Sequence, residues 1–227
     1  MLNIFTGKDE SSKATGNTIV VDIICATSMI CYFFHKGANK IIPLSKHEDI
    51  PFIKEKYPDI LLAGDYPHLY PNHFDVNIFD RESFEKFDPK GRDLFYISAN
   101  GTKRIFDSNN AKKHIMGSFL NFSAIIELIR KNPTFYCLLL AGSEKFTWDE
   151  DCSFAEMLNL ELNNKKYNKN DYHKRILNSD VMKRGNWIVK APYLIEIALS
   201  QDITKIIPVT LTDKETGFTI LKPLSEI

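Results

Sequence analysis

Acidic, amide and hydroxyl side chains that could bind a metal ion and an anion directly follow several apolar segments of the chain. These clusters are Asp22 with Thr27 and Ser28, Gly64-Asp65, Ser98-Ala-Asn-Gly-Thr102, Gly117-Ser-Phe-Leu-Asn121, and Gly142 leading to Asp149-Glu150-Asp151. Any one of them could be an ordinary turn, because glycine and asparagine provide the positive φ angles that turns need. In open α/β sheets, however, ligands bind beyond the carboxyl ends of the strands. Together the clusters therefore predict a binding site at one edge of a sheet.

Asp22 carries the strongest single signal, because it lies within the apolar segment 18–24. Burying a carboxylate without a partner is costly. Its side chain therefore meets a metal ion, a cation or a helix N-terminus, or else the strand register places it at the surface. A buried Asp22 with such a partner would indicate a binding site at this position.

The turn Asn100-Gly101-Thr102 has the composition of an anion cradle. It follows a predicted strand, and backbone N–H groups at the start of a helix attract anions. Gly101 would allow close backbone approach, and Thr102 would supply a hydroxyl group.

The metal chemistry follows from the ligand types. Asp22, Asp65 and one of Asp149 or Glu150 offer carboxylates without a cysteine or histidine cluster, which favours Mg²⁺ over Zn²⁺. Such an ion facing an amide-rich loop would suit phosphate ester hydrolysis. The sequence holds no P-loop, GxSxG or HExxH motif. The histidines available as acid or base are His35, His68 and His73, none with a visible partner.

The composition gives no support to several classes of partner. The 29 basic and 29 acidic side chains balance to a net charge of zero, which gives no electrostatic argument for nucleic acid or an anionic membrane.

No window approaches 18 uninterrupted apolar residues, so no transmembrane helix is expected. The four cysteines show no CxxC spacing and are expected to be reduced thiols. A cytoplasmic location is the resulting expectation.

Short β-branched runs alternate with longer helical ones along the chain. The predicted strands are 18–24, 40–43, 60–65, 93–98, 114–117, 134–141, 205–210 and 218–221, and the predicted helices are 26–36, 47–56, 83–87, 120–131, one from 148, and helical segments in 176–200. Segment 66–80 is predicted to be a functional loop. The last strands lack intervening helices, so the pattern predicts a layered α/β/α fold with a mixed β-sheet. We expect one domain over 1–227, and a subdivision near 159–175 stays open as either a helical excursion or a loop.

The clusters themselves resemble the motifs of the 2-phosphosulfolactate phosphatase family. Val20-Val-Asp-Ile-Ile-Cys-Ala-Thr-Ser resembles its DVLRATT segment, and Gly64-Asp65 is similar to its Gly-Glu. Ser98-Ala-Asn-Gly-Thr-Lys-Arg, Gly117-Ser-Phe-Leu-Asn-Phe-Ser-Ala and Ala141-Gly-Ser-Glu-Lys-Phe-Thr-Trp-Asp-Glu-Asp are similar to its TTNGTRA, SFLNASA and GxxxxFSLED. Gln201-Asp-Ile and Ile207-Pro-Val resemble its closing DI…VP pattern, so the resemblance runs in order from about residue 18 to 210.

The resemblance implies a Mg²⁺-dependent phosphatase of coenzyme M biosynthesis that acts on a sulfonated hydroxy acid phosphate. The residues it assigns are catalytic Asp22, Asn100 and Thr102, metal ligands Asp22, Asp65, Asp149 and Glu150, and substrate-binding Thr27, Ser28, Asn77, Gly101, Ser118 and Asn121. The expected partner is a small-molecule phosphate ester, and a homodimer is expected only because such assemblies are common.

Three departures from the family pattern leave alternatives open. Cys25 stands where the family has arginine, Asp65 stands where it has glutamate, and its GFDLGNSP element appears as residues 73–80 with only Asn77 retained at its polar end. A phosphate- or sulfonate-binding cation is therefore missing at position 25. The alternatives are a divergent, non-catalytic member that binds a small anion or a protein partner, and a purely structural module.

Overall fold

The computed structural model describes residues 2–132, 135–142, 149–184 and 191–226. These residues form ten strands in one hydrogen-bonded sheet. The strands are β1 (Asn3–Thr6), β2 (Gly16–Val21), β3 (Lys40–Leu44), β4 (Leu61–Gly64), β5 (Val76–Asn77), β6 (Asp93–Ile97), β7 (Ala111–Gly117), β8 (Tyr136–Leu140), β9 (Pro208–Thr212) and β10 (Thr219–Pro223).

Helices connect most of these strands. They are α1 (Gly7–Ser11), α2 (Ala26–His35), α3 (Ile50–Lys56), α4 (Arg81–Lys86), α5 (Gly101–Asp107), α6 (Phe122–Lys131), α7 (Asp149–Leu162), α8 (Lys169–Leu177), α9 (Asp180–Arg184) and α10 (Pro192–Leu199). Short 3₁₀ turns cover His47–Asp49, Phe119–Asn121 and Leu224–Glu226. No helix in the described part of the chain is both long and apolar enough to span a bilayer.

The sheet consists of two parallel halves joined by an antiparallel hairpin. The strand order is β1-β8-β2-β7-β9-β10-β3-β6-β4-β5, and only the pairs that involve β9 or β10 are antiparallel. Every residue of β8 is buried, as expected for a central strand with both faces covered. The predicted α/β class with a mixed sheet is confirmed.

Helix α2 crosses from the first half to the second and forms the centre of the core. Eight of its ten residues are buried. It ends in a Schellman motif, in which Gly37 N–H donates to Phe34 O and Ala38 N–H donates to Phe33 O, both near 3 Å. Gly37 has a φ of +91°, a conformation that glycine adopts without strain, so it can end the helix here.

The sheet cannot be flat between its halves. Three successive antiparallel pairings separate β7 from β3, so the two parallel halves run in opposite directions along the hydrogen-bonded order. In a flat sheet the end of β2 would then lie at the opposite edge from the end of β6. Gly101, after β6, nevertheless touches Asp22, after β2. The two halves are therefore not coplanar, and they are joined by the pairings β7–β9 and β10–β3, each of which aligns at a single residue pair.

Several boundaries differ from the predicted ones. Strand β2 ends at Val21, so Asp22 lies just after the strand rather than inside it. The predicted loop 66–80 contains the short strand β5, and β1 and α1 were not predicted. In 159–175, α7 continues to Leu162, residues 163–168 form a loop, and α8 begins at Lys169, so the segment combines both alternatives. The predicted strand start at 134, the loop 143–147 and the helix start at 148 lie outside the described residues.

Candidate active site

Asp22 and Gly101 bring the two halves of the sheet into contact. The Asp22 carboxylate accepts a long hydrogen bond of 3.4 Å from Ala26 N–H in the first turn of α2. A Cβ atom at position 101 would lie 2.5 Å from Asp22 Oδ2 and 2.6 Å from Ala26 Cβ. Only glycine therefore lets α5 begin directly against this carboxylate.

Asp65 is held on the other side of the same turn. Gly64, with φ of +147°, lies so close to Ile97 that a Cβ atom would be 2.0 Å from Ile97 O. This approach places Asp65 beside the loop after β6, where its Oδ2 accepts a 2.8 Å hydrogen bond from Ala99 N–H. Its Oδ1 is buried without a hydrogen-bond partner in the described structure. That oxygen is available to a ligand.

The electrostatics of the two carboxyl groups show that they share one environment. Burial raises the pKa of Asp22 to about 6, against the N–H groups of Ala26 and Gly101 and the charge of Arg104, which lower it. Burial also raises the pKa of Asp65 to about 7; the Asp22 charge raises it further, while Ala99 N–H and the Lys103 ammonium lower it. A cation that binds these carboxylates would readily displace their protons.

The start of α7 adds two more buried carboxyl groups. Burial raises the pKa of Glu150 to about 7, with contributions from the charges of Asp22 and Asp149, and Glu150 Oε2 has no partner among the described residues. Asp151 accepts hydrogen bonds from Ile23 N–H at 2.9 Å and Gly142 N–H at 3.3 Å. Burial raises the pKa of Asp151 well above its ordinary value, as do the charges of Glu150 and Asp22.

Asp151 was not assigned a role by sequence reasoning. Three acidic residues in a row begin α7. The sequence alone does not show which of them lies on the buried face of the helix. The Asp151 carboxylate joins the loop after β2, through Ile23, to the end of β8, through Gly142. It thereby positions Asp22, the residue before Ile23.

Asp149, a predicted metal ligand, has a different neighbour. Its Oδ1 accepts from Arg175 Nε of α8 at 3.3 Å, and the same arginine pairs with Glu156 at 2.8 Å. This contact ties α7 to α8. Its role at a metal stays a prediction.

Reciprocal hydrogen bonds between Ser98 and Thr102 hold the predicted anion turn. Thr102 is fully buried, and its hydroxyl accepts from Ser98 N–H at 3.0 Å while Thr102 N–H donates to Ser98 Oγ at 2.8 Å. Asn100 stands at the N-cap position of α5, but its side chain makes no capping hydrogen bond. Thr102 therefore holds the turn, and the Asn100 amide is not used for capping.

One predicted substrate-binding residue, Thr27, contacts Asp22 directly. Thr27 Oγ1 donates to Asp22 O at 2.9 Å and accepts from Asp22 N–H at 3.0 Å. Ser28 is fully buried, and its hydroxyl has no partner among the described residues. Asn77 pairs with Gly64 across β4 and β5 and accepts from Phe79 N–H at 3.0 Å.

Ser118 and Asn121 form a capping box that is fully buried. Ser118 Oγ accepts from Leu120 N–H, and Ser118 N–H donates to Asn121 Oδ1 at 3.0 Å. The Asn121 amide donates to Met116 O and Ile206 O, both at 3.1 Å. These bonds use the amide group within the fold, and the predicted substrate contact of both residues stays a prediction.

Cys25, which stands where the family resemblance expects arginine, lies close to Asp22 and Asp65. It is buried against the Tyr96 hydroxyl, and burial together with the charges of Asp65 and Asp22 raises the pKa of its thiol well above the usual range. A thiol held neutral in this way supplies no positive charge. Arg104 is close to Asp22, but its Nε donates to Ala141 O and its Nη1 pairs with Asp107.

The donor atoms fit a hard divalent cation. Asp22, Asp65 and Glu150 supply carboxylate oxygens, two of them buried without a partner, and oxygen ligands suit Mg²⁺. Within the described ranges no three acidic, histidine or cysteine side chains already stand at metal-binding spacing. The residues therefore match the ion in chemistry. The side chains would have to move closer together to coordinate it.

Comparison with known proteins gives one consistent result. The family model described as 2-phosphosulpholactate phosphatase matches residues 4–191. A probable 2-phosphosulfolactate phosphatase of Pseudothermotoga lettingae is 28% identical over 208 residues, which cover 86% of this chain and 90% of the relative. One of Thermoplasma acidophilum is 26% identical over 209 residues, which cover 92% and 91%.

A third probable 2-phosphosulfolactate phosphatase, from Caldanaerobacter subterraneus subsp. tengcongensis, is 30% identical over 138 residues, and this match spans 59% of this chain and 56% of that protein. The family model covers most of the chain, from β1 to the segment before α10. The chain belongs to the 2-phosphosulfolactate phosphatase family.

Proposed function

We propose that this protein is a Mg²⁺-dependent phosphatase that hydrolyses a small anionic phosphate ester, with 2-phosphosulfolactate as the substrate that the family name indicates. The observation that carries the proposal is the meeting of Asp22, Asp65 and the Asn100–Thr102 turn at one point between the two halves of the sheet. Roles in coenzyme M biosynthesis and in the cytoplasm, and a homodimeric state, belong to the same proposal.

The residues of the site divide into ligands and supports. Asp22, Asp65 and Glu150 would hold the cation, which when bound would neutralise phosphoryl oxygens and lower the pKa of a water molecule. Ala26 N–H orients Asp22, and Ala99 N–H orients Asp65 so that Oδ1 stays available. Asp151 fixes the loop that carries Asp22. The Asn100 amide, which is not used for capping, would orient the phosphate.

The direct test is phosphate release from 2-phosphosulfolactate with Mg²⁺ and after chelation. We expect turnover that requires the ion, and a loss of about 100-fold or more in kcat for Asp22→Asn, because the variant lacks a charged ligand at the reaction centre. Asp171→Asn, an exposed change on α8, is the matched control. No release from 2-phosphosulfolactate or an aryl phosphate would overturn the proposal.

The second candidate is a non-catalytic member that binds a small anion or a protein partner. The buried, neutral Cys25 beside Asp22 and Asp65 favours it, because no cation occupies that position. Turnover that Asp22→Asn abolishes would eliminate this candidate.

A further inference from the structure

The turn after β3 brings a histidine to the edge of the carboxylate site. His47 lines a pocket of about 580 Å³ whose other lining residues are Ser45, Lys46, Glu48, Asp49 and Lys103. Lys103 lies in the first turn of α5, and its ammonium group also acts electrostatically on Asp65. The pocket is therefore a neighbour of the place where the cation and the phosphate are proposed to bind.

The sheet register accounts for this position. Strand β6 lies between β3 and β4, and Ile97 at its end pairs with Leu44 of β3 and Gly64 of β4. The segments that follow these three strands are therefore neighbours at one edge of the sheet. Asp65 directly follows β4, and His47 lies in the turn that follows β3.

The loop that follows Asp65 holds the imidazole of His47. The Tyr66 ring packs against it with the ring centres 4.7 Å apart, and the Tyr70 hydroxyl lies 3.1 Å from Nδ1. The other nitrogen, Nε2, lies 3.4 Å from the carboxylate of Glu48, whose side chain is 69% exposed. Nδ1 is thus fixed within the fold, while Nε2 stands beside a carboxylate that is open to solvent.

The charged and titratable groups around this imidazole come from three elements. They are Lys46, Glu48 and Asp49 of its own turn, Tyr66 and Tyr70 of the loop after β4, and Lys103 of α5. Of these, Glu48 is the acidic group that pairs with the ring. Histidine is the side chain that exchanges a proton near neutral pH, so Glu48 can pass a proton from solvent to Nε2.

Hydrolysis of an alkyl phosphate requires a proton donor that the site has not yet been given. The ester oxygen leaves as an alkoxide, which is a poor leaving group unless a general acid protonates it in the transition state. In the proposed function Asp22, Asp65 and Glu150 hold the cation, and the amide of Asn100 orients the phosphate. A separate group has to supply the proton.

We propose that His47 is this general acid, and that it protonates the leaving oxygen of an alkyl phosphate ester bound at Asp22 and Asp65. The inference rests on the proposed function and adds to it the proton donor. The Tyr70 oxygen accepts from Nδ1–H, so Nε2 is the nitrogen that donates the proton. The alcohol part of the ester then lies toward the pocket that His47 lines.

Water attacks phosphorus while the bond from phosphorus to the ester oxygen breaks. The electron pair of that bond stays on the ester oxygen, which takes the proton from Nε2 and leaves as the alcohol. Both protons of the water remain with the phosphate product, and one of them then passes to solvent. His47, now neutral, takes a proton from solvent through Glu48 and is ready for the next turnover.

The kinetic test compares two esters whose leaving groups differ in their need for a proton. The alkoxide of 2-phosphosulfolactate needs one, whereas p-nitrophenolate is a stable anion and leaves without it. For His47→Gln, which cannot carry the proton, we expect kcat to fall about 100-fold with 2-phosphosulfolactate and about threefold or less with p-nitrophenyl phosphate. His35→Gln, an exposed change at the end of α2, is the matched control and should leave both rates unaltered.

The pH dependence provides a second readout that a purely structural role of His47 would not change. With 2-phosphosulfolactate, kcat of the wild-type protein should decline as the pH rises above neutral, because the imidazole then lacks the proton that it donates. This decline should be absent from His47→Gln. A decline of the same size in both proteins would overturn the inference.

The outcomes separate the inference from the proposed function. An equal loss with both esters, or a loss with neither, would overturn the inference and leave the phosphatase in place, because His47 would then not act on the leaving group. Turnover of p-nitrophenyl phosphate alone by the wild-type protein would overturn the inference too. Release of phosphate from neither ester by the wild-type protein would overturn the proposed function, and the inference with it.

Discussion

The buried carboxyl groups at the centre of the site stabilise the fold only while they are protonated. In an unfolded chain the pKa of an aspartate or glutamate is about 4, whereas in the folded protein it is about 6 for Asp22 and about 7 for Asp65 and Glu150. Because the folded values are higher, these groups stabilise the fold most below pH 4, and this stability is lost as the pH rises through 6 and 7.

We therefore expect the metal-free protein to melt at a lower temperature at pH 8.5 than at pH 6.5. His114, whose pKa burial lowers to about 4, is neutral in the folded protein but half protonated in the unfolded chain at pH 6.5, so it offsets a part of this loss as the pH rises. Added Mg²⁺ should raise the melting temperature more at pH 8.5, because it binds the ionised carboxylates. Differential scanning calorimetry measures this difference. In the Asp65→Asn variant the pH dependence should be weaker, and an unchanged dependence would contradict the assignment.

Gly101→Ala tests the contact between the two halves at its tightest point. The added Cβ would lie 2.5 Å from Asp22 Oδ2, so the start of α5 or the carboxylate must move. We expect kcat/KM to fall at least tenfold and the free energy of unfolding to fall by about 1–3 kcal/mol. Phosphate release and urea unfolding are the measurements.

Gly117→Ala is the matched control for this substitution. Its Cβ would also be crowded, at 2.7 Å from the side chain of Ile19, but it meets apolar atoms rather than a carboxylate. It should lower the free energy of unfolding while kcat/KM of the folded protein is retained. Equal losses of activity in both variants would mean that crowding alone, rather than displacement of Asp22, explains the effect.

The site residues could be found from the sequence only where their chemistry conflicted with their surroundings. A carboxylate at the end of an apolar run indicated Asp22, and a glycine before an acid indicated Asp65. Asp151 was missed because neighbouring Asp149 and Glu150 have the same chemistry and only the helix phase separates them. The internal hydrogen bonds of Asn121 depend on Ile206, which is remote in the sequence.

At the level of elements, the capping box after β7 determines how the chain turns into α6. Asn121 is fully buried, and its amide joins Met116 O to Ile206 O, so it links β7 with the segment before β9. The same residue was predicted from the sequence to bind substrate. The two roles lead to different outcomes when the side chain is removed.

We expect Asn121→Ala to lower the free energy of unfolding by about 2–4 kcal/mol, because two buried carbonyl groups and the Ser118 N–H lose their partner. The KM measured well below the melting temperature should change less than threefold. Urea unfolding and steady-state kinetics are the two measurements. A tenfold rise in KM at unchanged stability would instead support the predicted contact with substrate.

The strands that the apolar pattern predicted well are the longer, buried ones. β2, β3, β4, β6 and β8 read as continuous apolar runs, and their residues are largely buried. The edge strands β1 and β5 escaped prediction, because they are four and two residues long and only partly buried. Short edge strands bury one face or less, and so they leave little periodicity in a sequence.

At the scale of the whole molecule, the antiparallel hairpin β9–β10 determines where the site forms. It reverses the direction of the second half of the sheet, and the end of β2 meets the turn after β6 across the two halves. The sequence predicted these two strands, but it did not predict that they pair with β7 and β3. Such pairings join segments about 100 and 180 residues apart, and no local pattern encodes them.

Because both halves share the core around α2 and meet at one site, we expect the chain to unfold as one unit. Far-ultraviolet circular dichroism and near-ultraviolet tyrosine signals should follow a single urea transition with a common midpoint. Two separated transitions would show that the halves are independent domains, against the single domain predicted from the sequence.

The most direct test of the central claim is a crystal structure with Mn²⁺ in place of Mg²⁺ and an anomalous difference map. The account predicts one peak within coordination distance of the Asp22 and Asp65 carboxylates, with Glu150 turned toward it and Asp149 still paired with Arg175. A map with no peak there, or with the metal bound elsewhere, would contradict the account.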